Sequence, residues 1–488
     1  MYTAINLWGD IVFKQRFYKF MKNITVGKIK NFYEQKLAKY NNYNGESFLE
    51  IMSYDYNRKF GENIRNNYDF DEQLNGLMLA NTLNKIKEID LKRKIKEGKT
   101  VKVCFLIDDV SKFSTNSIYK EMLTSDLFEP FIVLINQIDS KFLKNEYAWN
   151  LHLKSIDILT KQGYKVFNGY DENKNLISIE TFKPDIVFMT APYLDYHDTT
   201  LTNIYLNINY LVCYLPYHFG TINSYNYHYN NRRIASCWKN FTSSREDYIE
   251  TIKYSKFCGV NSVLLGYPKL DAYSKPIENC KIPSKIDNGK PVVIYAPHHS
   301  IRDKWEPVNL ATFHLYHQYF LNLVKSNPNI NFVFKPHPNL VVKVVEQNIM
   351  TKDEYQSYIN EWDSQPNGLY VFDGEYIDLF RRSDLLIQDS GSFIGEWLPT
   401  DKPCMYLVNP ERNQETYMNG FSTIGRKILE KYYLCHNEQE IEHYFNMLMF
   451  DKNDPLKDER IKIKDGIYIN IGCAGQKITE YLETILKD

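Results

Sequence analysis

From residue 101 onward, short and almost continuously apolar runs alternate with segments of helical periodicity. Six such runs are predicted as strands in the first half of the chain, over residues 101–108, 131–136, 164–167, 185–190, 210–215 and 262–265. A strand that is apolar on both faces belongs to a parallel sheet covered by helices on both sides. The pattern therefore predicts an α/β fold with a doubly wound parallel sheet.

A second alternating set follows a polar stretch over residues 272–290, which contains Pro276, Pro283 and an Asp-Asn-Gly turn at 287–289. We interpret this stretch as a linker. The second set of strands is predicted over 292–296, 330–334, 369–372, 384–388 and 404–408, with mostly helix over 425–488. Two Rossmann-like domains, 99–275 and 290–488, are expected to face each other across a cleft, and ligands bind beyond the carboxyl ends of such strands.

Residues 1–98 carry few strand signals and are predicted to form a mostly helical N-terminal extension. Within it, the stretch 11–40 holds eight Lys or Arg residues against one acid, Glu34, with aromatic residues interleaved. Such a helix could lie on the inner face of the cytoplasmic membrane as a peripheral contact. The alternative, which base rates favour slightly, is a helix that packs its aromatic face on the protein.

The charge balance and the cysteines restrict the class of protein. The 488 residues include 59 basic and 60 acidic side chains, for a net charge of −1, which argues against a nucleic-acid partner. The eight cysteines include no C-x-x-C pair and several lie in apolar runs, which predicts reduced core thiols. The sequence shows no signal-peptide pattern and no apolar run long enough to span a bilayer, and we expect a cytoplasmic protein.

The first candidate site follows the run 210–215 and reads Pro-Tyr-His-Phe-Gly-Thr over 216–221. His218 lies where the cleft should open, beside Gly220 and Thr221. Its ordinary pKa suits a base that removes a proton from an acceptor hydroxyl. The position alone equally fits a structural histidine.

The second candidate follows the run 330–334 and reads Lys335-Pro-His337-Pro. Two prolines stiffen the backbone around His337. A rigidly placed imidazole next to a lysine suits the diphosphate of a donor better than it suits a turn, and we predict a functional role.

The third candidate is Asp389-Ser390-Gly391-Ser392, between the run 384–388 and a helix that contains Glu396. A strand, a turn of small residues and a helix N-terminus together predict phosphate binding by backbone N–H groups. Ser392 could equally be only the helix N-cap. The spacing matches neither a P-loop nor a Gly-x-Gly-x-x-Gly pattern, which disfavours kinases and NAD-dependent enzymes.

The fourth candidate is the segment from Tyr295 to Arg302, which contains the adjacent histidines His298 and His299. His298, His299 and Arg302 could contact phosphates or the base. Adjacent histidines also suggest a metal. Side chains alternate along a strand, so both could bind one ion only if the strand has already ended. We therefore favour phosphate contact and predict no metal.

Five ordered segments of the chain resemble the CDP-glycerol glycerophosphotransferase family of teichoic-acid and capsule polymerases. Residues 216–221 resemble its His-Gly-Thr segment with Phe219 inserted, and 266–271 resemble Gly-x-Pro-Arg-x-Asp with Lys269 in place of Arg. The others are 295–297, similar to the start of Tyr-Ala-Pro-Thr with His298 in place of Thr, 335–338 and 384–392. The resemblance spans roughly residues 205–410.

The resemblance implies a GT-B fold and transfer of a phospho-polyol from a CDP-linked donor in surface polysaccharide assembly. It implies His218 as general base, His337 on the donor diphosphate, and Ser390, Gly391 and Ser392 around a phosphate. Lys335, His298 and Arg302 would also meet donor charge, Asp389 and Glu396 donor hydroxyls, and Gly220 and Thr221 the acceptor side. No cofactor or metal is implied, and the acceptor would be a glycan or lipid-linked glycan.

Three alternatives remain open from the sequence. Transfer of another phosphate-bearing modifier from a CDP carrier also fits. A GT-B glycosyltransferase would use the same fold to move a sugar from a nucleotide sugar, leaving no phosphorus in its product. A non-catalytic, glycan-binding module of the same fold would bind no donor.

Overall fold

The computed structural model describes residues 67–108, 110–135, 146–191, 201, 203–224, 228–255, 257–302, 309–372 and 376–488. Two parallel sheets dominate these residues. The first has seven strands in the order β3-β2-β1-β4-β5-β6-β7, and the second has six in the order β10-β9-β8-β11-β12-β13. Both orders reverse beside the strand that begins the sheet, which is the doubly wound arrangement expected from the sequence.

The first sheet and its helices follow the N-terminal helix α1, Asn67–Lys96. The strands are β1 Val101–Ile107, β2 Phe128–Leu134, β3 Val166–Asn168, β4 Ile186–Met189, β5 Leu211–Tyr214, β6 Lys239–Thr242 and β7 Ser262–Leu264. The helices are α2 Asn116–Leu123, α3 Glu146–Lys161, α4 Asn203–Asn209, α5 Arg232–Ser236 and α6 Arg245–Tyr254.

The second sheet follows two short 3₁₀ turns: Pro268–Ser274, which runs into the predicted linker, and Ile277–Asn279, which lies within it. Its strands are β8 Val292–Ala296, β9 Asn331–Phe334, β10 Gly368–Tyr370, β11 Leu385–Gln388, β12 Cys404–Leu407 and β13 Tyr433–Cys435. Its helices are α7 Phe313–Ser326, α8 Leu340–Glu346, α9 Lys352–Ser364, α10 Ile377–Arg382, α11 Ser392–Trp397, α12 Thr423–Leu429, α13 Glu438–Met449, α14 Lys457–Ile467 and α15 Ala474–Lys487.

The strands form where the sequence is apolar on both faces. Strands β4, β5, β8, β9, β11 and β12 are buried along their whole length. One core of side chains continues from the first domain into the second, because Phe219 and Tyr267 belong to the same buried cluster as Ile394 and Trp397. Burial on both faces explains why the runs lack the alternation of a half-exposed strand.

Two strands are absent from the sequence-based prediction. β6 has four residues, three of them polar, and β13 has only three residues, so neither produces an apolar run long enough to be recognised. Both extend a sheet that is already nucleated, with β6 beside β5 and β13 beside β12. Pairing with a neighbouring strand, rather than local propensity, determines these elements.

The described part of the N-terminal extension is helical, as predicted. Helix α1 docks on the first domain through polar contacts: Lys94 pairs with Asp185, and Trp238 Nε1 donates to Glu88 at 2.9 Å. The basic, aromatic stretch 11–40 lies outside the described residues. Among the described helices, none has the length and apolar character needed to cross a bilayer.

The terminal helix α15 returns to the first domain, although the terminal helices were predicted as part of the second. Both carboxylate oxygens of Asp271 accept N–H groups at the start of α15, from Ala474 at 2.8 Å and Gly475 at 2.7 Å. Gly475 sits so close to Ser117 that a Cβ there would collide with it. An amphipathic stripe indicates that a helix packs, but not on which domain, so periodicity could not locate it.

Candidate active site at the cleft

Four of the predicted segments follow strands whose carboxyl ends face the cleft. The segment with His218 follows β5 of the first sheet. The segments with His298, His337 and Ser390 follow β8, β9 and β11, which are neighbours at the centre of the second sheet. Parallel strands end at one edge of their sheet, so the sequence order of these segments places their side chains together.

His218 lines a pocket in the first domain. The pocket is lined by Tyr214, Pro216, His218, Gly220, His228, Tyr229, Asn240, Phe241, Thr242, Asp247 and Thr251. Burial lowers the pKa of His218 well below its ordinary value near 6.5, and the neighbouring His228, Lys269 and Lys112 lower it further. The ring of His228 is 4.5 Å from that of His218. His218 is therefore neutral at pH 7 and able to accept a proton.

Three histidines of the second domain form a group that we call the histidine cluster: His298, His299 and His337. Their ring centroids are 4.3 Å (His298–His299), 5.3 Å (His298–His337) and 4.1 Å (His299–His337) apart. β8 ends at Ala296, so His298 and His299 lie in the following loop and escape the alternation of a strand. Burial lowers the pKa of both His298 and His337 well below 6.5.

The histidine cluster is the group of described side chains arranged like a metal site, with one nitrogen from each ring within 4.8 Å of the others. A zinc ion would require these nitrogens to converge to about 2.1 Å from it. Each ligating nitrogen would also need a free lone pair. The hydrogen bonds of each ring determine which of its two nitrogens has one.

Lys335 and Lys269 approach the same aromatic ring from two motifs. Their Nζ atoms lie 5.3 Å and 4.6 Å from the centre of the Tyr376 ring, and Lys269 Nζ also donates to the Tyr376 hydroxyl at 2.6 Å. Lys335 itself is 6% exposed. The lysine that replaces arginine in the resembled motif thus supplies a positive charge at the cleft.

Glu396 is fully buried behind these lysines. It accepts hydrogen bonds from the hydroxyls of Tyr376 and of Tyr267, the latter at 3.4 Å, and lies 3.5 Å from Lys269 Nζ. Tyr267 also donates to the carbonyl of Tyr217 at 2.7 Å, next to His218. The network connects the two domains, and the donor-hydroxyl contact predicted for Glu396 stays a prediction.

Asp389 is also fully buried, and its carboxylate is hydrogen-bonded to groups of its own domain. Its carboxylate accepts the backbone N–H of His298 at 2.5 Å and both the N–H and the hydroxyl of Thr312, at 2.6 and 2.7 Å. Burial raises the pKa of Asp389 to about 7, despite these bonds. The carboxylate fixes the loop that carries His298, and its predicted contact with donor hydroxyls stays a prediction.

The segment after His218 is bound directly to the second domain. Thr221 Oγ1 donates to the Gly391 carbonyl at 2.5 Å, Ser422 Oγ donates to the Gly220 carbonyl at 2.9 Å, and Ile222 forms a β-bridge with Phe421. A Cβ on Gly391 would collide with Ile222. Gly220, Thr221 and Gly391 thus hold the two sides of the cleft together.

Phe219, the residue inserted in the His-Gly-Thr motif, has a structural role. It is 1% exposed and packs against Tyr267 and Tyr468, with ring centroids at 5.8 and 5.3 Å. Gly395 of α11 leaves room for it, since a Cβ there would collide with the Phe219 ring. The insertion anchors the His218 segment in the second domain.

The contacts of Ser390, Ser392 and Arg302 are less indicative of a phosphate site than those of the histidines and lysines. Ser390 is buried and donates its N–H to Gln388 Oε1 at 2.7 Å, and Ser392 begins a helix of only six residues without a side-chain cap. Arg302 pairs with Glu411 at 3.1 Å and its side chain is 49% exposed. The phosphate contacts predicted for these residues stay predictions.

Lys112 was missed by sequence reasoning. It lies in the 3₁₀ turn after β1, pairs with Asp108 at 2.7 Å, and places Nζ 5.2 Å from the Tyr217 ring. Its charge helps to lower the pKa of His218 in one domain and of His337 in the other, so Lys112 acts electrostatically on both. The sequence offered one signal for Lys112, which is its position shortly after the first predicted strand. No site role was predicted for His228, Lys269 and Tyr376 either.

Comparisons with known proteins agree with this geometry. Residues 218–424 match the family described as CDP-glycerol:poly(glycerophosphate) glycerophosphotransferase, which confirms the resemblance seen in the sequence. No curated protein sequence matches the chain.

Solved structures with a similar fold include the wall teichoic acid polymerase TagF, at 12% identity and a TM-score of 0.52, covering 85% of this chain and 96% of that one. They also include S. aureus MnaA solved with UDP, at 15% identity and a TM-score of 0.51, covering 79% and 97%. At these identities the likeness shows the fold alone, and that fold is the two-domain GT-B arrangement.

Proposed function

We propose that this chain, whose residues 218–424 match the CDP-glycerol:poly(glycerophosphate) glycerophosphotransferase family, transfers a glycerol phosphate-like group from a CDP-linked donor to a hydroxyl of a glycan acceptor. The role falls in the synthesis of cell-surface polymers. The acceptor is a glycan or a lipid-linked glycan, and the chain works in the cytoplasm, with a peripheral membrane contact through residues 11–40 as an option.

One observation carries the proposal. A neutral histidine, His218, lies on one side of the cleft, and a set of neutral and cationic donors, His337 and Lys335, lies on the other. Lys112 acts electrostatically on both histidines. A base facing a positively charged donor set is the arrangement needed to move a phosphoryl group to a hydroxyl.

The reaction balances without a further reactant. The acceptor oxygen forms a bond to the phosphorus that carries the glycerol, and the bond from that phosphorus to the bridging oxygen of the diphosphate breaks. CMP leaves with the bridging oxygen. The acceptor proton passes to His218, which returns it to solvent or to the leaving phosphate.

Side chains of both domains meet the charge that moves during this step. Negative charge grows on the CMP phosphate as the bond breaks, and prepositioned donors stabilise it without reorganising. Lys335 and Lys112 supply full charges, and His337 supplies a neutral donor. We propose that these groups suffice without a metal ion.

Two variants test the assignment of roles. His218→Asn removes the base and keeps a polar side chain of similar reach, so kcat should fall roughly a hundredfold to ten-thousandfold while the donor still binds. His337→Ala should weaken both donor binding and turnover. Steady-state kinetics with CDP-glycerol, together with thermal shifts with CDP and CMP, measure both effects.

A matched control is Lys161→Ala, because Lys161 lies in the exposed last turn of α3, where it pairs with Asp157 at 2.6 Å, and belongs to none of the cleft segments. Equal and small losses of turnover in His218→Asn, His337→Ala and this control would refute the assignment. Stabilisation by UDP or GDP, without any by CDP or CMP, would instead point to sugar transfer. No shift with any nucleotide would support a non-catalytic module.

A further inference from the structure

The histidine cluster has the spacing of a metal site, but the hydrogen bonds of its rings favour a different ligand. A neutral imidazole has one protonated nitrogen, which donates, and one bare nitrogen, which accepts or binds a metal. Which nitrogen is which depends on the groups bonded to the ring.

Two rings of the cluster accept a backbone N–H on Nδ1. Asn339 N–H donates to Nδ1 of His337 at 3.1 Å, and Ser300 N–H donates to Nδ1 of His298 at 3.3 Å. The Ser300 hydroxyl is 2.8 Å from the same nitrogen of His298. Because Nδ1 uses its lone pair to accept, the proton of each neutral ring resides on Nε2. An Nε2–H group is a donor and has no lone pair to offer a metal.

The charges around the cluster point the same way. Lys335 and Lys112 both act on His337 and help to lower its pKa. Asp389, a carboxylate beside the cluster, binds the backbone N–H of His298 rather than a ring. Neutral N–H donors beside ammonium groups favour an anion and oppose a divalent cation.

We propose that His298, His299 and His337 form an anion pocket for the diphosphate bridge of the donor, in which the backbone N–H groups of Ser300 and Asn339 hold two imidazoles as Nε2–H donors. The proposal rests on the proposed function for the identity of the donor. It names Ser300 and Asn339 as positioning residues that fix the tautomers of His298 and His337, and it assigns a spacing typical of zinc sites to a phosphate ligand.

A pair of variants at position 339 isolates the tautomer. Asn339→Pro deletes the N–H that His337 accepts, whereas Asn339→Ala keeps it. The Asn339 side chain makes no capping bond to α8, so its loss leaves the helix start intact. Nitrogen-15 NMR of the histidine rings reports the protonated nitrogen directly, and thermal denaturation checks that each variant folds.

In the unaltered chain and in Asn339→Ala, His337 should carry its proton on Nε2 and inorganic pyrophosphate should bind with equal affinity in calorimetry. In Asn339→Pro, the Nδ1–H form should appear and the Kd for pyrophosphate should rise roughly tenfold or more. A proton on Nδ1 of His337 in the unaltered chain, or an unchanged Kd in a folded Asn339→Pro, overturns the proposal.

His299→Ala is a second, independent variant, and it tests the anion pocket even if Asn339→Pro does not fold. It should weaken pyrophosphate binding roughly tenfold and leave zinc titrations of the metal-free chain unchanged. One zinc ion per chain, bound more tightly than pyrophosphate and lost in His299→Ala, would overturn the anion pocket.

These measurements need no turnover, so they separate the two hypotheses. If pyrophosphate binds as expected but the chain releases CDP from a CDP-linked sugar, the anion pocket is supported and the proposed transfer of glycerol phosphate is refuted. If the chain transfers glycerol phosphate but His299→Ala leaves the pyrophosphate affinity unchanged, the proposed function is supported and the anion pocket is refuted.

Discussion

The histidines of the cleft show how burial decides the chemistry of a residue. His218, His228, His298 and His337 all have their pKa lowered, with burial as the first cause in each. For His228 the pKa falls to about 4. An exposed histidine would be about half protonated near pH 6.5, and only its neutral fraction could accept a proton.

The lowered pKa of His218 predicts the pH dependence of activity. Below the pKa of the folded protein the imidazole is protonated and cannot accept a proton, and above it the base is ready. Since that pKa lies well below 6.5, kcat/KM should stay flat on lowering the pH through 6.5 and fall only at more acidic values. A pH profile of kcat/KM checks this, and a midpoint at or above 6.5 would show that His218 is not the base in this environment.

Asp389 allows a prediction about positioning. Asp389→Asn replaces one accepting oxygen with an NH₂ group that faces an N–H of His298 or Thr312. The mismatch should lower the free energy of unfolding by about 1–3 kcal/mol and weaken CDP binding through His298. Urea denaturation and calorimetry measure the two effects, with Asp157→Asn on the exposed face of α3 as control. Unchanged stability would show that the Asp389 contacts contribute little.

At the level of elements, most strands could be predicted because short, continuously apolar runs between helical segments favour buried strands. Strand β8 matches its predicted bounds, 292–296. The anion site predicted at the start of α11 is not supported by the structure in the way that strand β8 is. That helix has only six residues, and the turn before it contacts Thr221. The sequence could place Ser390, Gly391 and Ser392 after a strand, but not show that the opposite domain would occupy the turn.

Glycines of two helices test the contact between the domains. Gly425 of α12 abuts the carbonyl of Thr221, so Gly425→Ala should force the two segments apart, lower the melting temperature and reduce turnover. Gly466 of α14 has nothing within 4 Å of an added Cβ, so Gly466→Ala should be neutral or stabilise by about 0.4–1 kcal/mol. Thermal denaturation of the two variants side by side measures the difference. Equal melting temperatures would show that the close approach at Gly425 is dispensable.

At the level of the whole molecule, the two domains are connected by more than the linker. The apolar core is continuous between them, and α15 returns from the second domain to Asp271 of the first. Neither feature could be predicted, because an apolar stripe does not specify its partner. His218 and His337, by contrast, could be paired from sequence, since both follow strands that end at the cleft.

The shared core predicts cooperative unfolding. Calorimetry of the full chain should show both α/β domains melting in one transition, since separating them would expose Phe219, Tyr267 and Trp397 to water. Two well-resolved transitions, each with the enthalpy of one domain, would show that the interface adds little to stability.

The central claim is that phosphorus moves from the donor to the acceptor. Phosphorus-31 NMR of the full chain with CDP-glycerol and a glycan acceptor that bears a free hydroxyl tests it most directly. The account predicts the loss of both diphosphate signals, with CMP and a new phosphodiester appearing in equal amounts, and no reaction in His218→Asn. Nucleoside diphosphate release from a nucleotide sugar, with no phosphodiester signal from CDP-glycerol, would contradict it.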